Sequence, residues 1–489
     1  MKRYYRDWYR PDLMALIAVG DFDATEMEAK IKEYFSSLKM PANPREREEF
    51  SMPDFDETRV AIASDKESTS NSITVNFITP GTDESKMDVS KYRQSLIQGL
   101  FGSMIGQRLS EKQQSQDPPF LFSYSGYGGS LVRNKNEYTI YVSVKGKEFE
   151  RGLKVAMEEN ERVRRHGFTA GELERAKALY LNSFDRSAKE ADKRESNRIV
   201  NSYVSNFLRE SSIMSPQQRF DLASQLIPTI QVEEINGLIK DWLTDKNRTI
   251  TVNAKEDDKA SIPSADALKA IVDNIKNDPS IEAYEEEELA STLMEDVPSK
   301  GSITSTEMNE TTGITKLILS NGAKVYLKPT DFKNDEIRMS AFSWGGTSIY
   351  SDEDYLNASN ASMAASVGGI GEFSSIDLRK FMTGKTATVR AYVGSLEEGL
   401  SGFSSIKDME TFFQLLHLNF TSPRKDEEAF KGQISRTKQQ LQNFLSSPDI
   451  QFQIQRIELM TQGHMRGGGF PDLEELDEID LDKALDIYK

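Results

Sequence analysis

The stretch that most constrains this chain is its opening, Tyr4 to Met27, YYRDWYRPDLMALIAVGDFDATEM. An aromatic and basic helix end runs into the continuous apolar segment Leu13 to Val19, which predicts a buried strand. A Gly20-Asp-Phe-Asp turn follows, and Asp23 with Glu26 three residues on predicts a capped helix start, with the helix reaching about Leu38. Helix, strand, turn and helix in such close order call for helices layered on a sheet.

The same grammar continues. Pro41, Pro44 and the charged run 45–49 read as a loop, and Val60 to Ala63 and Ile73 to Ile78 read as strands. A helix is expected from about Val89 to Lys112, with Leu96, Leu100, Ile105 and Leu109 on its apolar face. Tyr138 to Val144 alternates as a strand. Glu148 to Arg165 reads as a helix stopped by Gly167. Thr169 and Glu172 form a capping box opening a second helix that is expected to run unbroken to about Leu208. Val232 to Leu243, a helix, and Thr249 to Val252, a strand, close the unit.

Between Asp278 and Thr312 the periodicity stops. Four acids at 285–288, then Pro298, Gly301 and many Ser and Thr, read as a linker. A hairpin restarts the pattern: Leu317 to Ser320, Asn321-Gly322, then Ala323 to Leu327. Strands at Glu336 to Trp344 and Ala387 to Val393 follow, with a long helix from about Asp426 to Leu445 and an acidic helical tail over Leu473 to Lys489. The expected fold class is α+β, two repeats of an α/β sandwich with mostly antiparallel sheet packed by helices. The expected divisions are 1–277, a linker or hinge at 278–312, 313–472, and a terminal helix within 473–489.

Composition narrows the function. The 489 residues carry 78 acidic against 61 basic side chains, a formal net charge of −17. That balance argues against nonspecific nucleic-acid binding and against docking on anionic lipid. There is no cysteine, which removes disulfides, thiolate metal sites and a Cys nucleophile. No apolar run approaches the roughly 20 residues a membrane-spanning helix needs, so no membrane insertion is expected. The basic start lacks the apolar stretch of a signal peptide, and the chain reads as beginning in mid-fold.

Motifs of common catalytic machineries are missing. His166, His417 and His464 stand far apart, and none has a second imidazole three or four residues away; each reads as structural rather than metal-ligating. Gly368-Gly-Ile-Gly and Gly467-Gly-Gly lack the Lys-Ser/Thr of a P-loop. No G-x-S-x-G elbow supports a serine hydrolase. No catalytic residue and no metal ligand is assigned.

The opening stretch, together with SWGGTSIYSDED at Ser343 to Asp354, GEFSSIDLRKFMTGK at Gly371 to Lys385 and FTSPRKDEEAF at Phe420 to Phe430, resembles the pitrilysin/insulinase family of zinc metallopeptidases, whose mark is an inverted H-x-x-E-H. That motif occurs nowhere in this chain. The resemblance implies that residues 1–277 correspond to the second, non-catalytic domain of the four-domain members and 313–472 to the third. The helix after Gly345-Gly346-Thr347-Ser348 would bear the ligands in a zinc-bearing domain; here it reads Tyr355-Leu-Asn-Ala-Ser-Asn-Ala-Ser-Met-Ala-Ala-Ser, without imidazole or carboxylate. Such a member also uses an Arg followed by a Tyr to hold substrate, and Arg108 and Tyr124 are the corresponding substrate-binding candidates, at a looser spacing. Arg108 itself reads first as a helix-surface or structural residue, with a substrate contact as the alternative.

The resemblance therefore implies a non-catalytic middle segment of a zinc endopeptidase that degrades peptides in a clam-like chamber. This chain alone is expected to be inactive and to hold no cofactor, with zinc in an absent first domain and a fourth domain following. The partners implied are peptide substrates and those absent domains. The alternative is a non-catalytic member acting as scaffold, or as subunit to a zinc-bearing chain. By analogy with bacterial relatives the expected compartment is the periplasm.

Overall fold

The computed structural model describes residues 1–489 except 49, 82–87, 133 and 287–288, so one residue of the 45–49 loop and two of the 285–288 acids lie outside the described residues. The chain opens with α1 (Lys2–Trp8) and α2 (Ala24–Phe35), and the Asp23 carboxylate caps α2 by accepting from the Glu26 amide at 2.9 Å. The expected strand over Leu13 to Val19 does not form. Met14 is extended (φ −121°, ψ 146°), yet 14–19 join no ladder and Leu16 is 52% exposed. An apolar run becomes a strand only where a neighbour satisfies its N–H and C=O groups, and this segment has none among the described residues.

Next come β1 (Arg59–Asp65), β2 (Ser72–Pro80), α3 (Val89–Gln113), β3 (Phe120–Gly129), β4 (Lys135–Val144), α4 (Phe149–His166) and α5 (Ala170–Lys189). They are followed by α6 (Ser196–Arg209), α7 (Pro216–Leu226), α8 (Val232–Trp242), β5 (Arg248–Lys255) and α9 (Ala265–Asn274). The sheet order is β1-β5-β2-β4-β3, antiparallel except for the parallel β1–β5 pair. Register puts Val75 opposite both Ile140 and Ile250, so the alternate residues of three strands form one buried row. α3, α4, α8 and α9 pack against this sheet.

The centre of that core is aromatic. Phe101 on α3 meets Tyr138, Phe168 and Trp242 edge-on at 5.9, 5.3 and 4.9 Å, and Trp242 stacks on Tyr127 at 4.5 Å. Each such pair adds about 0.5–1.5 kcal/mol beyond area burial, which locks α3, β3, β4 and α8 into one body. α4 ends at Gly167 (φ +74°), where a side chain would be strained and would strike Asn236. The Thr169–Glu172 capping box forms as the sequence predicts. The helix it opens does not run to Leu208, because the chain breaks between α5 and α6. There Glu190 accepts the amides of Asn334 and Asp335, both at 2.8 Å. A tertiary contact, with no Gly or Pro to announce it, sets that break.

The remaining elements are β6 (Ile303–Asn309), β7 (Ile314–Leu319), β8 (Lys324–Leu327), β9 (Ile337–Trp344), α10 (Tyr355–Val367), α11 (Ser375–Met382), β10 (Ala387–Val393) and β11 (Glu397–Ser404). α12 (Met409–Thr421), α13 (Glu427–Leu445), α14 (Pro448–Thr461) and α15 (Leu481–Tyr488) complete the chain. The Asn321-Gly322 hairpin joins β7 to β8, with Gly322 at φ +88°. β6 pairs with β7 and lies inside the stretch read as linker; its sequence, ITSTEMN, is exposed on both faces, so no hydrophobic alternation marked it. The strands form two separate three-stranded sheets, β6-β7-β8 and β10-β11-β9, rather than a copy of the five-stranded sheet. The fold is α+β, mostly antiparallel sheet with helices.

Candidate functional site

The chemistry-bearing residues gather where residues 278–302 pass between the two sheet-bearing parts. The segment is anchored at both ends: Ile281 is buried in the core that contains Phe101, and Leu293 in the core around Phe412. Between them Tyr284 is held on two sides. The Arg108 guanidinium lies 4.3 Å from the centre of its ring, and its hydroxyl donates to Glu111 at 2.9 Å while accepting from Lys380 at 3.1 Å. Glu286 then pairs with Arg175 and accepts from the Thr169 hydroxyl at the start of α5.

Arg108 is only 1% exposed. Its Nε and one terminal nitrogen donate to the two oxygens of Glu172 at 2.7 and 2.8 Å; a further contact reaches Glu159 at 3.4 Å and another the Gly167 carbonyl at 3.1 Å. Burial pulls its pKa down, but the two carboxylates outweigh burial and hold it above the ordinary arginine value. Tyr124 lies elsewhere, on the outward face of β3 and 47% exposed. The structure does not bring Arg108 and Tyr124 together.

The C-terminal end of α3 receives three cations from the second half of the chain. Arg379 donates to Ser110 at 2.6 Å and to Gln114 at 2.8 Å, Lys380 pairs with Glu111 at 3.1 Å, and Arg436 donates to the Gln113 carbonyl at 2.9 Å. A helix C-terminus carries partial negative charge and unsatisfied carbonyls, so cations dock there favourably. Burial lowers the Lys380 pKa, but Tyr284 and Glu111 more than offset it, leaving the ammonium above its usual value. Burial lifts the Tyr284 hydroxyl to about 12. Further along, Asn182 donates to Thr386 at 2.7 Å and Lys189 pairs with Asp335 at 3.0 Å. These contacts are polar, as interfaces between parts of one chain often are.

The three histidines stay apart. His166 donates to the Ile281 carbonyl at 3.0 Å, His417 is half-buried on α12, and His464 accepts from the Arg466 amide at 3.1 Å. Among the described residues no group of three or more His, Cys, Asp or Glu side chains is placed to hold a metal ion. On α10 the positions facing inward are Asn357, Ala358, Ala361, Ala364 and Ala365. Asn357 accepts from the Asp480 amide at 2.8 Å and is thereby committed to fixing the start of α15. Zinc needs about three protein ligands and an open position, and the residues on this helix do not fit that requirement. Sequence reasoning singled out Arg108 but passed over Tyr284, Lys380 and Arg379, because nothing local marks a tyrosine in a polar linker as a docking point.

Residues 1–180 match the family profile of the peptidase M16 inactive domain, which defines the class: a peptidase-type fold matched through its inactive domain. Over 377 residues the chain is 26% identical to a zinc protease PQQL-like protein of Arabidopsis thaliana, covering 76% of this chain and 36% of that one. Over 430 residues it is 25% identical to the probable zinc protease PqqL of Escherichia coli, covering 86% and 45%. The crystal structure of the periplasmic protease PqqL from Escherichia coli superposes with a TM-score of 0.51 at 21% identity, covering all of this chain and 53% of that one. The chain is thus similar in sequence to zinc proteases and, through residues 1–180, to the peptidase M16 inactive domain, and its fold is shared with pitrilysin, at a TM-score of 0.50 and 11% identity. It spans less than half the length of these two curated relatives.

Proposed function

We propose that this chain is the non-catalytic middle segment of a zinc-dependent endopeptidase, in which it walls and hinges a chamber where peptides are degraded. The observation that carries the reading is α10. It follows a Gly345-Gly346 turn as the ligand helix of a zinc-bearing domain would, yet its inward positions are alanine and a committed asparagine. The scaffold of a metal site is kept where the ligands are gone. Zinc would then sit in a domain outside this segment, which agrees with relatives named zinc proteases of which this chain covers 36% and 45%.

In this reading residues 278–312 form the hinge. A polar seam crossed by a single strap can part without exposing a large apolar surface. A periplasmic location is part of the proposal, supported by the fold shared with the periplasmic protease PqqL of Escherichia coli. Among the described residues no helix is long and apolar enough to cross a membrane.

The test is cleavage of a mixed quenched-fluorescent peptide pool, with zinc added and then chelated. The chain alone should give no turnover, and the parent protein chelator-sensitive turnover. Zinc-dependent cleavage by the chain alone, or an inert parent, would sink the reading.

A further inference from the structure

Beside the strap the seam opens into a cleft of about 660 Å³. One wall is the end of α5, the break after it and the start of α6; the other is the 333–336 segment and the start of β10. Arg186, Lys193, Arg194 and Arg198 line the first wall, and Lys333 and Lys385 the second. Of the four acids in the cleft, three are already engaged. Asp335 is bound by Lys189 and the Ile406 amide, Glu336 by Arg338, and Glu190 by two backbone amides. Only Glu195 is left uncommitted.

Arg186, Arg194 and Arg198 have no carboxylate partner among the described residues. Most other arginines along the seam are paired or hydrogen-bonded, as Arg108, Arg175, Arg379 and Arg436 show. In a chain of net charge −17, carboxylates are plentiful, so three unpaired guanidinium groups in one cleft stand out. Arg186 and Arg198 are exposed and Arg194 half-buried, so water screens part of their mutual repulsion, and an anion from outside would relieve more of it.

We propose that this cleft binds an acidic segment of a peptide, its carboxylates received by the forks of Arg186, Arg194 and Arg198. Guanidinium groups match carboxylates in a planar, two-bond geometry that lysine does not reproduce. The cleft volume falls in the range of roughly 300–1,000 Å³ that encloses a ligand of many atoms, not a lone oxyanion. The hydroxyls of Ser183, Ser187 and Thr388 on the same walls supply polar contacts for a peptide backbone. Because the walls belong to opposite sides of the seam, a bound segment draws them together. That the segment belongs to a substrate rests on the proposed function; that it binds does not.

The experiment is fluorescence anisotropy of a labelled hexaglutamate peptide on the whole chain, without metal, against a hexaglutamine control. Saturable binding of the glutamate peptide alone is expected. The R186Q/R194Q/R198Q variant should weaken it on the order of tenfold or more with an unchanged melting curve, and R194Q alone by less. Inorganic phosphate should displace the peptide only at large excess. Absence of saturable binding, an unaffected triple variant, or displacement by equimolar phosphate would each overturn the assignment. Neither zinc nor turnover enters the assay, so its failure leaves the peptidase reading standing, and failure of that reading leaves this result intact.

Discussion

Two clusters of charge meet at Tyr284 and behave as opposites. Around Arg108 every charged partner belongs to the same part of the chain, and Arg108, Glu159 and Glu172 are all at most 5% exposed. Around Lys380, on α11, the partners come from α3 and the strap, so the contacts cross the seam, with Lys380 8% and Glu111 16% exposed. A buried cluster breaks badly, because losing one member strands the others away from water. The seam cluster breaks less badly, because Glu111 keeps its hydrogen bond from Gln107 and is less deeply buried than Glu159 or Glu172. The first therefore holds one part of the chain together, and the second joins α3, the strap and α11.

The largest effect that would test this contrast is Arg108→Leu. It leaves Glu172 buried without a cation and Glu159 with Arg162 alone, a cost of about 3–5 kcal/mol. For a unit of this size that lowers Tm on the order of 10 °C, read by circular dichroism. A loss under about 1 kcal/mol would erase the distinction between the clusters. Lys380→Met comes next. It removes the charged contacts to Glu111 and Tyr284, and a cost of about 1–2 kcal/mol is expected. Hydrogen exchange should quicken in the strap around Tyr284 and in α11 while β2 and β4 keep their protection. Equal loosening of β2 and β4 would show that the seam is part of the fold.

Alkali gives a gentler probe of the same seam. The folded pKa values of Lys380 and Tyr284 are both raised, the latter to about 12. Groups raised in this way contribute fully below their unfolded values, about 10 for each, and lose the contribution as pH rises through the folded ones. The seam should thus hold at pH 9 and loosen between about pH 10 and 12. Glu286 and Asp335 shift the other way: burial raises both, but Thr169 and Arg175 in one case, and the Ile406 amide and Lys189 in the other, more than offset it. Their contributions are held above about pH 4 and fade as the pH falls further. Paired labels on introduced cysteines, one on each side of the seam, would follow the distance in this cysteine-free chain. Separation beginning near neutrality would exclude these groups as its cause.

The contrast also explains what the sequence disclosed. Features governed by neighbours along the chain were legible: the Thr169–Glu172 capping box, the Gly167 stop, the Asn321-Gly322 turn, and the apolar face of α3 around Leu96, Leu100, Ile105 and Leu109. Features governed by distant partners were not. The break at 190–195 is set by the 334–335 amides, and β6 is defined by β7 rather than by any periodicity of its own. Arg108 could be singled out, but its carboxylates lie 51 and 64 residues away. Nothing local to Arg186, Arg194 or Arg198 marks them as unpaired, since that depends on which carboxylates the fold brings near. Leu13 to Val19 failed in the other direction, with the right residues for a strand and no ladder to join.

That opening region supplies the smallest predicted effect and the sharpest control. α2 has a capped start but no buried residue, and Tyr34 and Phe35 on it are 70% and 47% exposed. Asp23→Ala removes the cap, a loss of about 1 kcal/mol to the helix itself. A helix that buries nothing is not coupled to the core, so its fraying is a local opening that leaves the global transition where it was. Amide exchange over α2 should therefore accelerate while Tm stays unchanged within error. If Tm fell with it, 1–38 would have to be packed against the five-stranded unit, and the two charge clusters would no longer be the features that separate contacts within one part of this chain from contacts between parts.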